Sequence, residues 1–154
     1  MSAYYFDSSA LVKYYAQEVG TQWVRNLINA QPANQVFTAL VSGAEITAAI
    51  KRRERDKTIA PAAAAQAITA FRSQFRVRYL ALRTNDAVVD LAMDLTEKHK
   101  LRGYDAIQLA SALTIEARLT AQGVGPLTLV SADTELNQAA QAEGILTDDP
   151  NQHP

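Results

Sequence analysis

Apolar positions along this chain fall into two kinds of run. Short runs of about four residues, rich in aromatic and β-branched side chains, alternate with longer stretches in which apolar residues recur every three or four positions. That alternation predicts strands separated by helices. Ala3 to Phe6 is the first short run, and it leads directly into Asp7-Ser8-Ser9, residues suited to starting a helix that continues from Ala10 to Tyr15. After Gly20, the spacing of Trp23, Val24, Leu27 and Ile28 predicts a second helix, closed by Pro32 and Asn34. Gln35 to Thr38 reads as a strand feeding a helix from about Leu40 to Arg55, whose stripe is Val41, Ala44, Ala48 and Ala49.

Pro61 suits the first turn of a helix, where its missing N–H is not needed, and Ile68, Phe71 and Phe75 give that helix an apolar stripe. Val77 to Leu82 alternates as a strand does, and Val88, Leu91, Ala92 and Leu95 mark a helix between Asn85 and His99. The segment after Gly103 is apolar nearly all round, through Ile107, Leu109, Ala110, Leu113 and Ile115, which predicts a central buried helix with Asp105 in its first turn. Gly123, Gly125 and Pro126 break the chain before a strand from Leu127 to Val130. That strand ends at Ser131-Ala132-Asp133, a helix follows to about Glu143, and Ile145 and Leu146 suit a last edge strand. The polar tail from Asp148 to Pro154 is expected to be frayed.

Strands joined by helices of ten or more residues imply a three-layer α/β/α fold around a mostly parallel sheet. The expected division is one domain over residues 1–147 and a tail over 148–154. In open sheets of this kind functional groups collect beyond the carboxyl ends of the strands, where Asp7 and Asp133 both fall. Composition narrows the chemistry. Without cysteine there is no disulfide scaffold, thiolate zinc site or cysteine nucleophile. Neither a basic leader with a long apolar run nor a stretch suited to crossing a membrane is apparent, so a cytoplasmic protein is expected.

Four acids stand out. Asp7 and Asp133 each have a plain reading as helix caps. Asp105 complements the dipole of its helix, but it lies among apolar neighbours, and a buried carboxylate needs a positive partner. Glu45 interrupts an apolar stretch between Ala44 and Ile46, and Ser42, three positions earlier, shares its side of the helix and is placed to orient the carboxylate or a water. If the four converge, mutual repulsion destabilises the fold unless a hard cation neutralises them. All-oxygen ligation selects magnesium or manganese, the ions used for phosphoryl chemistry. Competing machinery is absent: His99 and His153 form no acid–base pair in the sequence, and there is no nucleophile elbow or glycine-rich phosphate loop.

Charge adds a second clue. The net charge is −1, yet the cations cluster at Lys51, Arg52, Arg53, Arg55 and Lys57, at Arg72, Arg76, Arg78 and Arg83, and at Lys98, Lys100 and Arg102. Taking four metal-bound acids out of sixteen leaves twelve anions facing fifteen cations, which favours a polyanionic partner.

The order and spacing of these segments resemble the four acidic motifs of PIN-domain nucleases, and in particular VapC-type toxins of toxin–antitoxin pairs. The motifs are Tyr4-Tyr5-Phe6-Asp7-Ser8-Ser9-Ala10-Leu11-Val12-Lys13, Ser42-Gly43-Ala44-Glu45-Ile46, Gly103-Tyr104-Asp105-Ala106-Ile107-Gln108-Leu109-Ala110 and Leu129-Val130-Ser131-Ala132-Asp133. The resemblance implies an endoribonuclease that cleaves RNA with metal-activated water, a homodimer, and a cognate antitoxin inserting a segment near the site. By position it makes Asp7, Glu45, Asp105 and Asp133 the catalytic and metal-site acids and Ser9 the hydroxyl supporting Asp7 and the metal waters; Ser42 is the second supporting residue, from its spacing to Glu45. Lys51, Arg52, Arg53 and Arg102 are the candidate RNA contacts. Two positions depart from the pattern: Gly43, where many relatives carry arginine, and Gln108, where many carry histidine. The alternative is a catalytically inert PIN-like module that binds RNA or protein. A phosphoacceptor or dehalogenase-like site is disfavoured, since Ser9 stands where the latter needs a second aspartate.

Overall fold

The computed structural model describes all 154 residues. Its elements run β1 (Ala3–Phe6), α1 (Ser8–Tyr15), α2 (Thr21–Ile28), β2 (Gln35–Ala39), α3 (Ser42–Arg55), α4 (Pro61–Arg78), β3 (Leu80–Leu82), α5 (Asp86–Lys98), α6 (Gly103–Ala121), β4 (Leu127–Val130), α7 (Thr134–Ala142) and β5 (Leu146–Asp148). The strands form one sheet in the order β3-β2-β1-β4-β5, parallel throughout. This is the three-layer α/β/α architecture that the alternation implies.

Each sheet face has its own core. Because strand side chains alternate, Ala3 and Tyr5 of β1 join Leu127 and Leu129 of β4 on the face covered by α5, α6 and α7. Phe6 and Val130 turn the other way, toward α1, α2, α3 and α4. Helix α6 is buried along most of its length, as its all-round apolar sequence demands. Register then positions the chemistry. Tyr5 pairs with Leu129 and Phe6 with Val130, so Asp7 and Ser131 emerge side by side where the chain leaves β1 and β4.

Three expectations need correction. The strand expected from Val77 to Leu82 is only Leu80–Leu82, because α4 runs on through Arg78 and leaves Val77 88% exposed. The stripe of Phe71 and Phe75 extends one more turn to buried Tyr79, whose hydroxyl meets that of Tyr15 at 2.6 Å, and this packing outweighs the β-like alternation. Second, the helix expected from Leu40 begins at Ser42, since the Leu40 N–H still bonds the carbonyl of Leu82.

Third, the tail is docked rather than frayed. Asp148 belongs to β5, and Pro150–Gln152 forms a 3₁₀ turn with Pro150 buried. Lys13 donates to Asn151 Oδ1 at 3.0 Å, and the rings of Trp23 and His153 stack at 4.2 Å. Gly20, at φ 84°, makes room: a Cβ there would lie 2.3 Å from the Pro150 carbonyl oxygen. Deleting residues 150–154 is therefore expected to cost about 2 kcal/mol and lower the melting temperature by about 4–8 °C. An unchanged calorimetric melt would mean that the tail contributes nothing.

Candidate active site

Asp7 is the first residue beyond β1 and is 3% exposed. Its Oδ1 accepts from the Ala10 N–H at 2.9 Å, capping α1, and from Ser9 Oγ at 2.7 Å. Its Oδ2 accepts from Ser131 Oγ at 2.8 Å. The two serines extend the network: Ser9 Oγ accepts from the Ala132 N–H and Ser131 Oγ from the Asp133 N–H, both at 3.0 Å. Asp133 caps α7 through Oδ1, which accepts from the Leu136 N–H at 3.1 Å. Both aspartates are thus helix caps, and the capping geometry also locks them where two strands open.

Glu45 comes from α3. Ser8 Oγ donates to its Oε2 at 2.9 Å, and Gln108 Nε2 donates to its Oε1 at 2.8 Å. Gln108 is 1% exposed on α6, and its amide orientation is fixed because the Tyr5 hydroxyl donates to Oε1 at 2.6 Å while Nε2 also reaches Ser42 Oγ at 3.0 Å. Ser42 therefore acts differently from the expectation. Fully buried and bonded to Thr38, it touches Glu45 only through the Gln108 amide. At Gly43 a Cβ would meet the Phe75 ring at 2.9 Å, so any side chain there would require that ring to shift.

Glu45, Asp105 and Asp133 line one cleft of about 990 Å³, and Asp7 lies behind it, reached through Ser9. The carboxylates feel one another. Burial lifts Asp7 to about 7 against the bonds from Ser9, Ser131 and Ala10, and the charge of Asp133 adds to the rise. Burial raises Glu45, as does the charge of Asp105, against hydrogen bonds from Ser8 and Gln108. Asp105 is raised by burial and then by Asp133, with Arg102 opposing. The like charges form a chain, Asp7 to Asp133 to Asp105 to Glu45, and none of the four has a salt bridge. No three acidic or histidine side chains are set as a ready chelate for one ion.

The four candidate RNA contacts separate. Arg52 and Arg102 are exposed, line the cleft and form no salt bridge. Arg53 also lines it, but its guanidinium is held by Glu18 at 2.9 Å and by the Ala49 carbonyl at 3.1 Å. Lys51 pairs with Glu54 and faces a separate recess with Arg55 and Lys57. Residue patterning also missed Ser8, Ser131, Tyr5 and the positive role of Gln108. Of these, Ser131 alone had a usable signal, a hydroxyl at a strand end two residues before an acid.

A sequence model of the PIN domain matches residues 4–142. Among curated protein sequences there is no significant match. Among solved structures, VapC20 of Mycobacterium tuberculosis, a sarcin–ricin loop cleaving toxin, is similar with a TM-score of 0.63 at 14% identity, over 99% of this chain and 100% of that one. VapBC2 of Rickettsia felis, bound to a DNA fragment from its promoter, matches with a TM-score of 0.61 at 12% identity, over 97% and 98%. FitAB bound to a DNA fragment also gives 0.61 at 12% identity, over 96% and 94%. At these identities the likeness is one of fold, and the family match rests on the sequence itself. With that match running from the first strand to the last helix, through all four acid-bearing segments, the chain belongs to the PIN domain family.

Proposed function

We propose that this chain is a magnesium- or manganese-dependent endoribonuclease and the toxin of a VapBC-type toxin–antitoxin pair, with a cognate antitoxin as partner. The observation carrying this reading is the set of four carboxylates from separate elements at one cleft, Asp7 directly behind the other three: Asp7, Glu45 and Asp105 are raised by burial and by neighbouring acid charge, and none of the four has a salt-bridged cation. An all-oxygen donor set of this charge fits a hard cation. The lack of a ready triple chelate is compatible with magnesium, which keeps several waters and takes only one or two carboxylates.

A divalent ion bound there polarises the phosphoryl oxygens and lowers the pKa of water. In this reading Asp7 and Asp133, fixed by their caps, would hold the ion, and Ser9 keeps Asp7 in place. Asp105, on α6, adds its negative charge to the site. Glu45, aimed by Ser8 and Gln108, is positioned to take the proton of the attacking water. Arg52 and Arg102 bind the flanking phosphates. A homodimer and a cytoplasmic location belong to the same proposal; no helix is long and apolar enough to cross a membrane.

The test is cleavage of a labelled RNA by the purified chain with EDTA, then with Mg²⁺ or Mn²⁺ restored. Chelation is expected to reduce cleavage by at least ~10³-fold, and readdition to restore it. Absence of cleavage under every metal condition would favour the inert binding module instead.

A further inference from the structure

Tyr104 is out of keeping with the other five tyrosines. It is 64% exposed, the one exposed aromatic side chain of the protein. Tyr4, Tyr14 and Tyr15 have aromatic neighbours, and the buried Tyr5 and Tyr79 have their hydroxyls hydrogen-bonded. Tyr104 has neither a ring partner nor a hydrogen bond. Leaving so much aromatic surface in water is unfavourable unless something covers it.

Its position suggests what that is. Tyr104 precedes Asp105 and lines the acid cleft together with Arg52 and Arg102. It also lines an adjoining apolar groove with Val89, Met93 and Ile107. Next to it Gly103 leaves the surface open, with nothing within 4 Å of where a Cβ would stand. A flat free ring, two unpaired guanidinium groups and a phosphate-directed site around one cleft are the elements by which proteins hold unpaired nucleotides: cations on the backbone, an aromatic face under the base. A base in a duplex is already stacked on both sides and cannot be shared with a side chain.

We propose that Tyr104 is the base-stacking platform of the cleft, taking an unpaired nucleobase of an RNA strand whose phosphates lie on Arg52 and Arg102. This rests on the nuclease reading for its substrate, but stacking is a binding property and is measurable without cleavage. It makes the preferred substrate a single-stranded or looped RNA, selected by an accessible base.

The test uses the full chain in EDTA at low ionic strength and a fluorescein-labelled single-stranded RNA of about ten nucleotides, followed by anisotropy. Tyr104→Phe is expected to bind within about twofold of the parent, while Tyr104→Ala and Tyr104→Leu bind about 5- to 100-fold more weakly, Leu failing because it lacks a flat face. An oligonucleotide of the same length without bases should be bound equally weakly by all four proteins. Equal affinity of parent and Tyr104→Ala for the intact strand would overturn the proposal. So would a change in sedimentation of Tyr104→Ala with RNA affinity unaltered, which would assign the ring to contact with a second copy of the chain. If the parent fails to cleave RNA with any metal, the nuclease reading falls while the binding comparison still stands or falls by itself.

Discussion

Asp7→Asn is expected to lose RNA cleavage by at least ~10³-fold and, without metal, to be more stable than the parent at neutral pH. The two halves have one cause. Asp7 is buried with its folded pKa at about 7, above its ordinary value of 3.8, so the folded state binds the proton more tightly than the unfolded chain. For an acid raised in this way, stability is fully present below about pH 4, declines as pH rises toward 7, and stays low above. The loss is at most on the order of 4 kcal/mol. An amide of the same shape keeps one oxygen for the Ala10 cap, and the Ser9 and Ser131 hydroxyls can rotate to accept from its NH₂ group.

Magnesium should act on the parent as the amide does. Its stabilising effect in thermal melts is expected to be large at pH 8, small at pH 5, and much reduced in Asp7→Asn at either pH. Cleavage surviving in Asp7→Asn, or a variant less stable than the parent in EDTA at pH 8, would contradict this account of Asp7.

Gln108→Leu is expected to damage both fold and site. The leucine fills much of the same space but leaves the Tyr5 hydroxyl without its acceptor and removes the donor shared by Ser42 and Glu45. Buried groups left unsatisfied cost about 1–3 kcal/mol each, partly recovered by water or rotation, so a net loss of about 2–4 kcal/mol and a melting temperature lower by about 5–15 °C follow. Glu45, held then by Ser8 alone, becomes mobile, and loss of an orienting partner of this kind typically reduces metal affinity or activity about 10- to 100-fold. Tyr5→Phe, which strands only the Gln108 carbonyl oxygen, should show the same effects in weaker form. A Gln108→Leu protein as active as the parent would reduce Gln108 to a packing residue.

The residues that patterning located best are those whose position is set by chain direction. Asp7 and Asp133 follow strands and precede helices, so a parallel sheet puts both at one end, and the β1–β4 register makes them neighbours. Asp105 and Glu45 were legible as acids inside apolar stretches. What patterning cannot supply is the partner of a polar group. Ser42 shares a helical side with Glu45, yet its hydroxyl is taken by Thr38 and Gln108, residues 4 and 66 positions away. Arg53 looks like its basic neighbours until Glu18, 35 positions earlier, is seen to hold it. The tail is polar and reads as solvent-bound, but its contacts to Lys13 and Trp23 are long-range, and no local pattern encodes them. Tyr104 illustrates the converse: an aromatic residue counts as core in a periodicity argument, and only the folded surface shows it bare.

Uptake of Mn²⁺ by the parent and by Asp7→Asn, Glu45→Gln, Asp105→Asn and Asp133→Asn, read from the electron paramagnetic resonance signal of the free ion, tests the shared-cation site most directly. One or two ions are expected to bind each parent chain, with every variant weakened about 10-fold or more. Uptake unchanged in all four variants, or no uptake by the parent, would contradict it.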